Sequence, residues 1–237
     1  MIKSYVAFDL ETTGLSPETD QIIEIGALKV KDGKVIDRFM EFVKPDQPIS
    51  GAITGITGIT NEMVADARNT EDVIHDFMDF CEDHVLIGHN IMFDYKFCKM
   101  YAAKYGYPFE KRGIDTLKIA RKVHKDFESK SLGALCEYYH ITNQAAHRAY
   151  HDALATAKLY QCMAHYFEAQ DEKLFIPMQL MYKQKKVQAV TKKQLDYIEL
   201  LCKYHHLCLE RKCENMTRSE ASKLIDSIIS EHGNIQY

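Results

Sequence analysis

The stretch Val6-Ala7-Phe8-Asp9-Leu10-Glu11-Thr12-Thr13-Gly14 constrains this chain more than any other. Ile2, Tyr5, Val6 and Phe8 predict a buried strand, and strand side chains alternate between faces, so Asp9 and Glu11 point the same way. Whatever forms around this strand must accommodate two carboxylates on one face. Burying one ionised carboxylate is costly, and a second beside it adds repulsion that raises a pKa or calls for a cation. A divalent metal answers that demand. A half-exposed strand whose polar face simply carries two acids answers it as well, without any chemistry.

With 237 residues, 46% of them hydrophobic, the chain suits one substantial domain and a small appendage. No apolar run approaches the roughly 18 residues of a membrane span, and the N-terminus enters a strand without a basic, apolar and cleavable pattern. The expectation is a soluble, cytoplasmic protein with no membrane partner. Seven cysteines, odd in number and without a CxxC pair, argue for reduced thiols. Cys202, His205, His206, Cys208 and Cys213 match no zinc template and are expected to pack helices. The net charge of -4 combines an acidic body with a mildly basic end after about residue 180. Affinity for nucleic acid therefore has to come from local patches and bound metal.

After the first strand, Gly14-Leu15-Ser16-Pro17 turns the chain. Ile22 to Val30 and Val35 to Val43 predict a hairpin across Lys31-Asp32-Gly33-Lys34, completing an antiparallel meander. Ser50 to Thr60 (SGAITGITGIT) lacks the Lys-Ser/Thr ending of a P-loop and is expected to be a shaped loop near a cleft. Val73, Ile74, Phe77 and Phe80 mark an amphipathic helix, and His84 to Gly88 a short buried strand. Further helices are expected at Phe93 to Tyr105, Leu117 to Val123 and Ser131 to Tyr139, with a short strand or turn at Ile114-Asp115-Thr116. The last helix of the body runs from about Tyr150 to Phe167, its alanines fitting it closely to a sheet. The pattern gives an α/β mixed sheet flanked by helices over residues 1 to 170. A linker over 171 to 190, with the basic run Lys183-Gln184-Lys185-Lys186, then leads to a small helical module over 191 to 237. Thr191 with Gln194 and Thr217 with Glu220 have capping-box spacing, each opening an amphipathic helix.

Asp94 follows a buried strand at the start of a helix, where open α/β sheets present functional residues; an acid favoured by the helix dipole is the alternative. His147 and Asp152 are five residues apart, about 140° of helical rotation, so they converge only if His147 lies on the loop before the helix and Asp152 in its first turn. A loop-borne histidine can serve as a general base.

FDLETTG with Asp9 and Glu11, GHNIMFD with Asp94, and HRAYHDA with His147 and Asp152 resemble the DEDDh-type 3′–5′ exonucleases. These are ribonuclease H-like enzymes that include the proofreading epsilon subunits of DNA polymerase III. The resemblance covers about residues 1 to 168. The tyrosine branch would place Tyr where Arg148 stands, so His147 assigns the histidine branch. His151 occupies a position where the family often has an acid.

The resemblance implies that Asp9, Glu11, Asp94 and Asp152 hold two divalent cations, Mg²⁺ or Mn²⁺, and that His147 takes a proton from the attacking water. It also implies that Thr12, Thr13 and Leu15 grip the terminal nucleotide, with His89 and Asn90 near the substrate. Lys118, Arg121, Lys122, Lys125 and Arg148 could carry the incoming strand's phosphates, or simply form a solvated helix face. The implied partner is the 3′ end of a single strand, DNA ahead of RNA. The expected activity is 3′–5′ exonucleolytic release of nucleoside 5′-monophosphates, with an exoribonuclease or an inactive nucleic-acid-binding module as alternatives. Residues 191 to 237 would dock on a polymerase or other protein, or bind nucleic acid weakly.

Overall fold

In the computed structural model, which describes residues 1–143, 145–183, 188–209, 213 and 216–235, the N-terminal apolar stretch is strand β1 (Tyr5–Thr12). It pairs antiparallel with β2 (Ile22–Lys31), which pairs antiparallel with β3 (Lys34–Phe42). The β2–β3 hairpin turns at Asp32 and Gly33, both at positive φ (52° and 80°), as a turn matched to strand twist requires. β4 (Leu86–Gly88) lies parallel to β1, β5 (Arg112–Asp115) parallel to β4, and β6 (Met178–Gln179) antiparallel to β5, giving the order β3-β2-β1-β4-β5-β6. This is the meander plus parallel strands that the ribonuclease H-like resemblance implies.

Residues 50–60 correct one expectation: they are helical rather than a loop. α1 (Gly51–Thr57) begins with the Ile53 N–H donating to Ser50 Oγ and ends at Gly58 with φ 70°; α2 (Asn61–Val64) follows, capped by Thr60. Ser before and Gly after are helix-cap residues, a signal that the internal glycines obscured. Ile49, Ile59 and Val64 are buried there with Ile23 of β2.

The two faces of the sheet are covered differently. Val6, Phe8 and Leu10 face a core built with α3 (Thr70–Cys81) and α4 (Met92–Lys104), where Phe77, Tyr95, Phe97 and Phe109 are buried. Tyr5 and Ala7 face the opposite core, built with α5 (Thr116–Val123), α6 (Leu132–Tyr138) and α7 (Ala149–Phe167), where Leu159, Tyr160 and Met163 are buried. By alternation, Asp9 and Glu11 follow Tyr5 and Ala7 onto the α7 face.

The chain divides into two compact units, Met1–Tyr182 and Lys183–Tyr237. Much of the expected linker therefore belongs to the first unit. Phe175, in a 3₁₀ turn (Glu172–Phe175), and Leu180 are buried, Leu180 N–H donates to Lys111 O at 2.9 Å, and Tyr182 OH donates to Glu18 at 2.9 Å. Two apolar anchors and a strand pairing outweigh the break signalled by Pro177. Gln184, Lys185 and Lys186 of the basic run lie outside the described residues.

In the second unit, α8 (Lys192–Tyr204) and α9 (Arg218–His232) each open with the expected capping box. Ile198 and Leu201 of α8 and Ala221 and Ile228 of α9 are buried. No helix among the described residues is long and apolar enough to cross a membrane.

Candidate active site

On β1, Asp9 stands opposite Gly26 and Glu11 opposite Glu24 of β2. The N–H groups of Val6 and Leu10 point toward β4, but β4 ends at Gly88. Leu10 N–H, beyond the end of that strand, donates instead to Asp94 Oδ1 at 3.1 Å. A short strand thus leaves a backbone donor that draws Asp94, in the first turn of α4 and 2% exposed, to the end of β1.

His147 and Asp152 meet in the way their spacing demands. α7 starts at Ala149 with Asp152 in its first turn, and His147 sits before it at φ 62°. Asp152 folds this loop: His147 N–H donates to Oδ2 at 2.8 Å and Asn143 Nδ2 donates to Oδ1 at 2.6 Å. A ring nitrogen of the exposed His147 and carboxylate oxygens of Glu11 and Asp152 lie within 4.8 Å of one another.

Two residues of β2 that sequence reasoning missed fix the start of α7. Glu24, buried, accepts the Ala149 N–H at 3.0 Å and the Arg148 guanidinium at 3.2 Å from Nε and 2.8 Å from Nη2. Arg148, a candidate for carrying phosphate, is thus committed to Glu24 and lies over the Phe42 ring at 5.2 Å. Gly26 lies under the same turn: a Cβ there would stand 1.9 Å from Tyr150 N. Their one sequence signal was position, since a hairpin partner of β1 must place residues beside Asp9 and Glu11.

Asp9, Glu11, Asp94, His147 and Asp152 all line one cleft of about 240 Å³. His89, Asn90, Phe93 and Leu132 also line it. His89 is braced at both ring nitrogens, Nδ1 to Thr116 Oγ1 at 2.9 Å and Nε2 to Lys130 O at 3.0 Å. Thr116 Oγ1 also donates to Gly88 O at 3.2 Å, and burial lowers the His89 pKa, which disfavours a charged ring. Thr12, Thr13 and Leu15 are not among the residues lining the cleft. The Thr12 hydroxyl donates to Gly14 O and the Thr13 hydroxyl accepts from Gln21 N–H, folding the loop after β1, while Leu15 is 85% exposed.

Asp9, Glu11 and Asp94 are held above the ordinary carboxylate range. Burial, and then the charges of Asp94, Asp152, Glu11 and Glu24, raise Asp9. Asp94 is raised mainly by burial, against the opposing bond from Leu10. Glu11 is pushed up to about 7 by burial, Asp152 and Glu24, with Arg148 acting the other way. Oxygen donors with this surplus of negative charge fit a hard divalent cation.

A pH dependence follows. A carboxyl raised from 4.5 to about 7 keeps its proton longer folded than unfolded, so its cost is absent below about pH 4.5 and complete above about pH 7. At 1.36 kcal/mol per pKa unit this is roughly 3 kcal/mol for Glu11. The metal-free protein is expected to lose melting temperature between pH 5.5 and pH 8, and Mn²⁺ to restore more at pH 8. Calorimetry in EDTA and in Mn²⁺ at both pH values checks this; an equal gain at both refutes the electrostatic account.

The RNase_T family model, described as exonuclease, matches residues 6–160. The chain is similar to the PolC-type DNA polymerase III of Caldanaerobacter subterraneus subsp. tengcongensis, 44% identical over 156 residues, which are 66% of this chain and 11% of that protein. The Bacillus subtilis PolC-type polymerase is 42% identical over 160 residues, with the same two coverages, 66% and 11%. The chain thus spans about a tenth of the length of the curated relatives it matches. Among solved structures, exonuclease X in complex with 5′ overhanging duplex DNA superposes with a TM-score of 0.56 at 28% identity, covering 72% of this chain and 96% of that one. The nuclease domain of 3′hExo, a DEDDh family member bound to rAMP, shares the fold with a TM-score of 0.60 at 21% identity, covering 76% of this chain and 98% of that one.

Proposed function

The chain belongs to the RNase_T exonuclease family, and from that premise we propose that it hydrolyses single-stranded or frayed DNA from the 3′ end, releasing nucleoside 5′-monophosphates. The observation that carries this reading is the convergence of four carboxylates from β1, α4 and α7 with the loop-borne His147 in one cleft. The similarity to PolC-type polymerases and to a DNA-bound exonuclease favours DNA over RNA.

Asp9, Glu11, Asp94 and Asp152 would hold two divalent cations, Mg²⁺ or Mn²⁺. When bound, the ions supply Lewis-acid activation of water and stabilisation of the departing 3′ oxygen. Everything else falls to the chain's own side chains. His147, with a ring nitrogen within 4.8 Å of carboxylate oxygens of Glu11 and Asp152, accepts the proton of the attacking water at an imidazole nitrogen. His89 shapes the wall beside Asn90 rather than moving a proton. Phe93 and Leu132 give the terminal sugar and base apolar surface. With the Thr12 and Thr13 hydroxyls engaged locally, Leu15 is the side chain after β1 that can lie against the terminal base. Residues 191 to 237 serve docking, supported by their two capped helices and the polymerase context of the relatives.

The test is digestion of 5′-labelled single-stranded DNA, blunt duplex and RNA of one sequence, in Mg²⁺ or Mn²⁺. Stepwise shortening of the single-stranded DNA from its 3′ end is expected, abolished by excess EDTA and restored by added metal. Shortening from the 5′ end, activity persisting in EDTA, or faster digestion of RNA would overturn the reading.

A further inference from the structure

A second cavity, of about 330 Å³, opens at the β5 edge of the sheet. Its origin is the shortness of β6, which pairs only with Arg112 and Gly113 and leaves the edge of Ile114 and Asp115 uncovered. The floor is apolar, made by Ile91, Ile114, Ile119, Leu174 and Leu180, and two exposed side chains, Ile176 (50%) and Met178 (62%), stand at its lip. The rim is basic, with Lys118, Arg121 and Lys122 from α5 and Lys173 from the 3₁₀ turn. All four are exposed, and none pairs with an acidic side chain among the described residues. The acid in the lining, Asp115, is spent on the backbone N–H groups of Asn90 (3.0 Å) and Leu117 (3.0 Å).

Those bonds join the groove to the carboxylate cleft. Asn90 lines the cleft and Ile91 and Met92, next in sequence, line the groove. Since the strand order runs β1-β4-β5, the groove is two strand spacings, or about 10 Å, from Asp9 and Glu11. At about 3.4 Å per stacked base, that is the reach of some three nucleotides.

We propose that this groove is a subsite for single-stranded DNA a few nucleotides upstream of the reacting 3′ end, taking a base against its aliphatic floor and phosphates on Lys118, Arg121, Lys122 and Lys173. The inference rests on the exonuclease reading and gives it a second contact region. The unpaired cations of the rim select a polyanion, and the apolar floor selects one that carries flat apolar groups. The cavity's size suits one base.

The test uses the full chain with Lys173→Glu and Ile176→Asp, exposed positions outside the carboxylate cleft. Hydrolysis of the p-nitrophenyl ester of thymidine 5′-monophosphate, which fills only the cleft, is compared with digestion of oligothymidylates of two to ten residues. For each variant we expect ester turnover unchanged and kcat/KM on the ten-residue strand reduced about 5- to 10-fold, with little loss on the dinucleotide. The salt slope on the long strand should fall by about 0.7 for Lys173→Glu, one phosphate contact on a single strand. Equal losses on ester and long strand, or a length dependence that the variants leave intact, overturn the subsite. So does a shift of the variants' mass in solution with intact length dependence, which would assign the groove to a second copy. Failure of the wild-type protein on both ester and oligomer would instead sink the exonuclease reading.

Discussion

Asp94→Asn is expected to lower turnover on single-stranded DNA by on the order of 10³-fold while leaving the melting temperature of the metal-free protein unchanged or raised. The substitution separates two roles of one side chain. As a fold element, Asp94 needs only an acceptor for the Leu10 N–H at 3.1 Å, and an asparagine oxygen supplies one. As a member of the acid cluster, it needs its charge. Burial already opposes that charge, and Glu11 and Asp115 add repulsion. Removing it relieves the metal-free fold and weakens cation binding, where a loss of several kcal/mol in transition-state stabilisation corresponds to about three decades in rate. Melting curves in EDTA and single-turnover rates in Mg²⁺ measure the two sides. A variant that loses stability and activity together would show that Asp94 is chiefly a structural acceptor.

The opposed directions of that expectation explain which parts of the site the sequence made visible. That Asp9, Glu11, Asp94, His147 and Asp152 share one cleft could be read early because their motifs resemble a known family's and their residue types are expensive where they stand: alternating acids on a buried strand, an acid just after a second buried strand, a histidine that spacing forces onto a loop. Cost leaves a trace in sequence pattern. The groups that hold them do not. Glu24 on β2 is one more acid in a strand until its register with Glu11 is known, and Asn143 is one more loop amide until it is found bonded to Asp152. The family resemblance puts Thr12 and Thr13 at the terminal nucleotide, and what the structure adds is that their hydroxyls fold the loop that follows. The α1 segment and residues 172–182 escaped for a related reason. Glycine content and Pro177 are local signals, and burial of Ile59, Phe175 and Leu180 against distant parts of the chain outweighs them.

The support most hidden in the sequence carries the second large expectation. Gly26→Ala is expected to reduce turnover about 100-fold and to destabilise the fold by about 1–3 kcal/mol. The new Cβ would stand 1.9 Å from Tyr150 N and 2.1 Å from Ala149 C. Both are backbone atoms, so no rotamer change relieves the clash, and ordinary contact at 3.4 Å requires the start of α7 to retreat by about 1.5 Å. Glu24 resists that retreat through Ala149 N–H and Arg148, which localises the strain at the turn carrying His147 and Asp152. A displacement of this size takes Asp152 and the His147 ring away from Glu11, and misplacement by an ångström is enough to cost two decades in rate. Arg148→Lys is the milder companion: one ammonium cannot reproduce the two-nitrogen grip on Glu24, so a smaller loss of turnover is expected with the backbone clash absent. Rates taken well below each variant's melting temperature separate misplacement from unfolding. Full turnover in Gly26→Ala despite a lowered melting temperature would mean that the seating of α7 on β2 does not set the geometry of the cleft.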